Sequence, residues 1–140
     1  FKKQDGFKKS IDAAKKYEID FLNLMYMTPL PGTRLWDKMN SEGRITANNF
    51  PEDWKYYTLI FPVAKYMNLS WEEMINENYS CNKKFYSYSN IFNRIIKNMI
   101  YGRQPLVTLI GNFSYRNNAI KNFFNKFSGF NLSRGKSSNG

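Results

Sequence analysis

The feature that most constrains the fold is an apolar run, Phe21 to Met27, that stops at the loop Thr28-Pro29-Leu30-Pro31-Gly32-Thr33. Glu18 to Met27 reads as a buried strand, with Leu22, Leu24 and Tyr26 on one face and Phe21, Asn23, Met25 and Met27 on the other. Near-continuous apolar character fits a parallel strand covered on both sides. Asn23 is the one polar group in the row, and it either hydrogen-bonds internally or meets a ligand. Pro29 and Pro31 stiffen the strand exit by fixing φ. Gly32 lets backbone approach a ligand. Thr33 and the amides after Gly32 stand at a helix N-terminus, which favours an anionic or hydrogen-bond-accepting group. A strand that ends in a Pro/Gly loop and opens a helix is how α/β barrels present a ligand-contacting loop. The same residues also suit a rigid strand-to-helix turn that holds no ligand.

Helical spacing predicts further elements around this unit. Asp5 to Tyr17 is expected as a helix with Phe7, Ile11 and Ala14 inward. A second helix runs from about Thr33, its N-cap, to Asn40, with Leu35, Trp36 and Met39 inward and Gly43 at the stop. Thr58 to Phe61 is a short apolar run, expected as a strand that Pro62 ends. Ser70 and Glu73 form a capping box ahead of a helix carrying Met74, Ile75, Asn78, Cys81 and Phe85. Ser89 is expected to cap another helix, which Gly102 and Pro105 end. Leu106 to Phe127 is a weaker helical region with Gly111 as its break, and Ser128 to Gly140 reads as a disordered Gly/Ser-rich tail.

Composition excludes several kinds of chemistry. With 140 residues the chain is long enough for one modest core. It has no histidine and one cysteine, Cys81, so it cannot form an internal disulfide, a zinc site or an iron–sulfur site by itself. Cys81 sits at a core position of its helix and is read as a small apolar residue rather than a nucleophile. No segment reaches the length of a membrane span, and a cytoplasmic location is expected. The net charge is +10, and all of the excess falls from Asn78 onward, where ten Lys/Arg meet no acid. Because it opens on Phe1 with helical character, the chain is expected to be a piece of a longer polypeptide.

Several motifs then recur in a recognisable order. Thr28-Pro29-Leu30-Pro31-Gly32-Thr33-x-Leu35-Trp36 is followed by Glu42-Gly43-Arg44-Ile45, Asp53-Trp54-x-x-Tyr57 and Leu59-Ile60-Phe61-Pro62. Met67-x-Leu69-Ser70-x-Glu72-Glu73 and Phe85-Tyr86-Ser87 come next. This order, from about Asp5 to Met99, resembles the C-terminal part of the cobalamin-binding radical S-adenosylmethionine (SAM) proteins. The resemblance implies an α/β fragment followed by a mainly α part. Residues 1–47 would be the last strand–helix unit of a partial (β/α)₆ radical SAM barrel. Residues 48–127 would be a helical C-terminal extension, a domain of unknown function, and 128–140 the tail. Members of that family bind cobalamin in an N-terminal domain and hold a [4Fe-4S] cluster on a Cys-x-x-x-Cys-x-x-Cys loop. The cluster reduces SAM to generate a 5′-deoxyadenosyl radical, and many members are methyltransferases. The cluster cysteines and the cobalamin domain are absent from this chain. SAM, the cluster and cobalamin are therefore expected only in the full-length parent, with none held by this segment alone and no catalytic residue in it. Carried over by motif, Tyr26, Met27, Thr28, Gly32 and Thr33 would line or shape the SAM pocket. Asn23, Trp54 and Tyr57 would stand on the substrate side, where Trp54 and Tyr57 equally suit packing of the extension. The expected partners are the cobalamin-binding and radical SAM core regions of the same polypeptide and a small-molecule or lipid-like substrate.

A second function class competes with this one. Lys83, Lys84, Arg94, Lys97, Arg103, Arg116, Lys121 and Lys126 lie among Phe85, Tyr86, Phe92, Tyr101, Phe113, Tyr115 and Phe123, a basic and aromatic mixture that suits a small helical module binding nucleic acid or an anionic membrane surface, with Ile95, Ile96, Met99 and Ile100 inserted in the latter case. No recognisable nucleic-acid motif accompanies it, which makes nucleic acid the less favoured partner and leaves peripheral membrane contact open. The discriminator is whether these helices bury their apolar faces or expose them.

Overall fold

A computed structural model describes residues 5–67 and 69–132. Its elements are α1 (Asp5–Lys16), α2 (Arg34–Ser41), α3 (Trp71–Phe85), α4 (Tyr88–Ile100) and α5 (Pro105–Arg116). Short 3₁₀ turns occur at Glu52–Tyr56 and Phe124–Phe127, and a π turn at Asn117–Lys121. The described residues pack as two units, one of residues 5–24 with 76–128 and one of residues 25–67 and 69–75 with 129–132. No described helix is long and apolar enough to cross a membrane. Of the tail expected at 128–140, residues 133–140 lie outside the described residues.

The first unit is built on α1, most of α3, α4 and α5. Ile11 and Ala14 of α1 meet Cys81, Phe85, Tyr86 and Ile91 in a core that Phe7, Leu22, Leu24 and Ile95 complete. Ser87, not Ser89, caps α4, accepting a 3.4 Å bond from the Asn90 amide. The expected cap was two residues late because Ser89 has already entered the first helical turn. Pro105 opens α5, a position where its missing N–H costs nothing. Helix α5 runs through Gly111 without a break. A Cβ there would meet the Phe21 ring at 2.4 Å, so the glycine admits an aromatic side chain rather than ending a helix.

The second unit centres on Met39, Ile45 and Ala64, with Leu35, Trp36 and Tyr66 against them. Thr33 caps α2, accepting from the Trp36 amide at 3.2 Å. The capping box of α3 is present: the Ser70 amide donates to Glu73 Oε2 at 2.8 Å, and the Glu73 amide donates back to Ser70 Oγ at 3.3 Å. Trp71 donates its indole N–H to the Ala64 carbonyl at 2.7 Å, and Phe130 stacks on its ring at 5.1 Å.

The expected α/β fragment, the end of a (β/α)₆ barrel, is corrected by this structure. The described residues contain helices and turns, no strand and no sheet, and one isolated antiparallel bridge joins Ile45 to Ala64. A strand needs a neighbouring strand about 4.8 Å away to take its backbone hydrogen bonds. No described segment supplies one for residues 18–27. Their exposure alternates, with Phe21, Asn23, Met25 and Met27 open and Tyr26 buried, so this run is covered on one side only. The expected strand at Thr58 to Phe61 fails for a local reason. Leu59 adopts φ +65°, a left-handed conformation that no pleated strand accommodates.

Candidate functional site

The predicted loop holds its shape through its own hydrogen bonds. Gly32 takes φ +82°, available to glycine without strain. The Thr33 amide and hydroxyl both donate to the Leu30 carbonyl, at 3.1 and 2.7 Å. Pro29 is fully buried and anchors the loop, whereas Leu30, Pro31, Gly32 and Thr33 are exposed. Thr28 is buried and donates its hydroxyl to the Tyr26 carbonyl at 3.3 Å. The Tyr26 amide donates to the Leu59 carbonyl at 2.9 Å, and the Met27 carbonyl accepts from Tyr66 Oη at 2.7 Å. Tyr26 and Thr28 therefore face inward, and the exposed Met27 side chain faces out. Asn23, in the first unit, is exposed.

The tip of this loop reaches a groove of about 200 Å³ lined by Pro31, Trp36, Ala47, Asn48, Asn49, Phe50, Trp54 and Tyr57. Two residues expected on the substrate side, Trp54 and Tyr57, thus share a concave surface with the Pro-Gly loop. Tyr57 is fixed by donating its hydroxyl to the Ala47 carbonyl at 2.7 Å and by a ring contact of 5.8 Å with Trp36. Burial, reinforced by the Asp53 carboxylate, pushes the Tyr57 phenol up to about 12. It is a hydrogen-bonding group at neutral pH and not a proton-transfer base. Trp54 packs edge-on against Phe50 at 5.0 Å and leaves much of its indole exposed. The buried Asp53 is committed to the loop wall, accepting from the Asn49 amide at 3.0 Å while its own amide donates to the Asn49 carbonyl at 2.8 Å.

Sequence reasoning missed Trp36, Asn48, Asn49 and Phe50 as groove residues. Trp36 carries the helical spacing of a core residue and gives no sign of a shared face. The i, i+4 pair Phe50 and Trp54, set on either side of Pro51, was the available signal for an aromatic wall.

Chemically, aromatic faces beside two asparagines suit a planar group held by stacking and amide hydrogen bonds. At about 200 Å³ the groove is smaller than the roughly 300–1,000 Å³ of a complete small-molecule site, so it fits part of a ligand. Among the described residues no group of three His, Cys, Asp or Glu side chains is placed to hold a metal ion. Cys81 does not fit a cluster ligand. Its thiol lies in the core of the first unit, and burial pushes its pKa up, away from the thiolate.

Comparison with known proteins adds one relationship. Over 65 residues the chain is 35% identical to an uncharacterized methyltransferase of Pyrococcus horikoshii, a match that covers 46% of this chain and 13% of that protein. No family model matches the chain. No solved structure matches it.

Proposed function

We propose that the chain is part of a cytoplasmic radical SAM methyltransferase of the cobalamin-dependent kind, and that it lends a wall to the SAM and substrate pocket. The observation that carries this is the groove joining the Pro-Gly loop to Trp54 and Tyr57. The partial identity to a protein named a methyltransferase supports it, as does the ordered run of motifs from Thr28 to Ser87. In this scheme SAM, a [4Fe-4S] cluster and cobalamin are bound by other regions of the same polypeptide, and they supply the reducing and methyl-transfer chemistry. This chain's residues position and enclose. Pro31 and Gly32 shape the rim, Tyr26, Met27, Thr28 and Thr33 set the path of the loop, and Trp54 offers an exposed aromatic face. Tyr57, anchored on Ala47, holds the far wall.

The test uses the full polypeptide encoded by the gene. Its sequence should contain Cys-x-x-x-Cys-x-x-Cys upstream of Phe1, and the anaerobically purified protein should bind SAM. Trp54→Ala should weaken SAM or substrate binding by about five- to tenfold, the worth of one aromatic stacking contact. A polypeptide without the cysteine motif sinks the proposal. So does a Trp54→Ala protein that binds both ligands as tightly as the parent.

A further inference from the structure

Helices α4 and α5 pack on each other with the reverse of the usual pattern. Their facing sides are polar: Asn98 donates to Thr108 Oγ1 at 2.7 Å, and Arg94 donates to Asn112 Oδ1 at 2.6 Å. Asn98, Thr108 and Asn112 are buried. Ile91 and Ile95 of α4 face the core of the first unit, while a second set of apolar residues points outward. Phe92, Ile96 and Ile100 recur at helical spacing along α4, and Leu106, Ile110 and Phe113 along α5. All six are exposed, Ile100 at 73%, Leu106 at 70% and Ile110 at 69%. The Phe113 ring lies 6.1 Å from that of Tyr88, bringing the two stripes together at one end. Arg116 sits over the Tyr88 ring at 3.9 Å, and Arg103, in the turn between the helices, lies 5.7 Å from the Tyr101 ring.

We infer that the α4–α5 hairpin docks on an anionic lipid surface, its aliphatic stripes at the headgroup–acyl boundary and the exposed Arg103 among the headgroups. Charge selects this occupant. No acid occurs anywhere after Glu77. The acids bonded to α4 are already engaged, Glu18 with Lys97 at 2.5 Å and Asp20 with Asn98 at 3.0 Å. A cationic hairpin with outward aliphatic side chains matches the two terms that drive interfacial binding, apolar insertion and attraction to anionic headgroups. Nucleic acid fits less well, because Ile96, Ile100, Leu106 and Ile110 cannot stack on bases. Membrane docking stands independently of the SAM proposal, since no groove residue takes part in it.

The test is co-sedimentation of the full polypeptide with phosphatidylcholine vesicles, with and without about 30% phosphatidylglycerol. Anionic vesicles should bind it several-fold better than neutral ones, and added salt should weaken binding. The double variant Leu106→Asp/Ile110→Asp should lose about tenfold or more in vesicle affinity. Both positions are exposed, so its helical circular dichroism and melting should stay as in the parent. Arg103→Glu should reduce the preference for anionic vesicles alone. The inference is overturned if vesicles of both kinds fail to bind, or if the double variant binds as the parent does. It is also overturned if that variant melts earlier or changes mass in solution, which would mean that protein covers the stripes. A loss of RNA binding in place of vesicle binding overturns it equally.

Discussion

Tyr86→Phe isolates the contact that holds the backbone at Leu22 without a sheet. Tyr86 is fully buried, and its hydroxyl does what a neighbouring strand would do at Leu22. It accepts from the Leu22 amide at 3.0 Å and donates to the Leu22 carbonyl at 2.8 Å. The substitution keeps the ring, with its contacts at 4.9 Å to Phe85 and 5.9 Å to Tyr115, and removes both bonds. Each bond is worth about 0.5–1.5 kcal/mol net, and Leu22 is only half-buried, so water can replace part of the loss. The expected destabilisation is about 1–3 kcal/mol, or a fall in Tm of about 4–10 °C for a chain of this size. Urea and thermal unfolding measure it, and amide exchange at Leu22 should accelerate alongside. Tyr101→Phe is the control, because its ring is largely exposed and the change should lie within about 0.5 kcal/mol. A Tyr86→Phe chain that melts within about 1 °C of the parent, with Leu22 exchange unchanged, would refute the idea that side chains stand in for strand partners.

Two further outcomes are expected. Ser70→Ala removes the Ser70 hydroxyl that accepts from the Glu73 amide and donates to Glu73 Oε2, leaving the backbone amide of residue 70 bonded to Glu73, and should cost about 1 kcal/mol in urea unfolding, whereas Ser89→Ala, away from the cap, should cost far less. Burial raises the phenols of Tyr57 and Tyr66 from 10 to about 12. A raised folded-state value favours the protonated form, so the stability these groups contribute is fully present below pH 10 and lost as pH rises toward 12. Ultraviolet titration at pH 11 should therefore show fewer tyrosinates in the folded chain than in urea, and equal absorbance would contradict the burial of both rings.

What the sequence made legible was local chemistry. Thr33 and Ser70 announce helix starts because a side-chain oxygen three residues before a free amide is a self-contained device. The inward face of α1 follows from Ile11 and Ala14 in the same way. Ser89 shows the limit, since Ser87 offers the same oxygen two residues earlier and only the backbone path decides between them. Gly111 shows another: the property that breaks helices, a missing side chain, is also what admits the Phe21 ring, and nothing near Gly111 in sequence reveals that ring. For the groove, Trp54 and Tyr57 were legible only through the ordered motifs, which put them on the substrate side. Asn48 and Asn49 were not, because their part depends on a turn closed by Asp53.

The misread strand shows why period-two alternation fixes conformation but not architecture. Residues 21–27 alternate in exposure as a strand does. Alternation reports extended backbone with one covered face. What covers that face and takes the hydrogen bonds is decided elsewhere. In the first unit it is Tyr86 at Leu22 and Asn78, whose side-chain amide donates to the Leu24 carbonyl at 3.3 Å. In the second unit it is the Leu59 carbonyl and the Tyr66 hydroxyl, which serve Tyr26 and Met27. Every one of these partners lies more than thirty residues away in sequence, beyond the reach of a window that reads periodicity. These scattered donors and acceptors give Leu22 and Leu24 in the first unit, and Tyr26 and Met27 in the second, fixed partners without a sheet. Positioning of the Pro-Gly loop thus rests on Tyr66 and Pro29 rather than on a barrel wall. Tyr66→Phe should accordingly loosen the loop, seen as faster amide exchange at Thr33, while leaving the α3 cap at Ser70 intact.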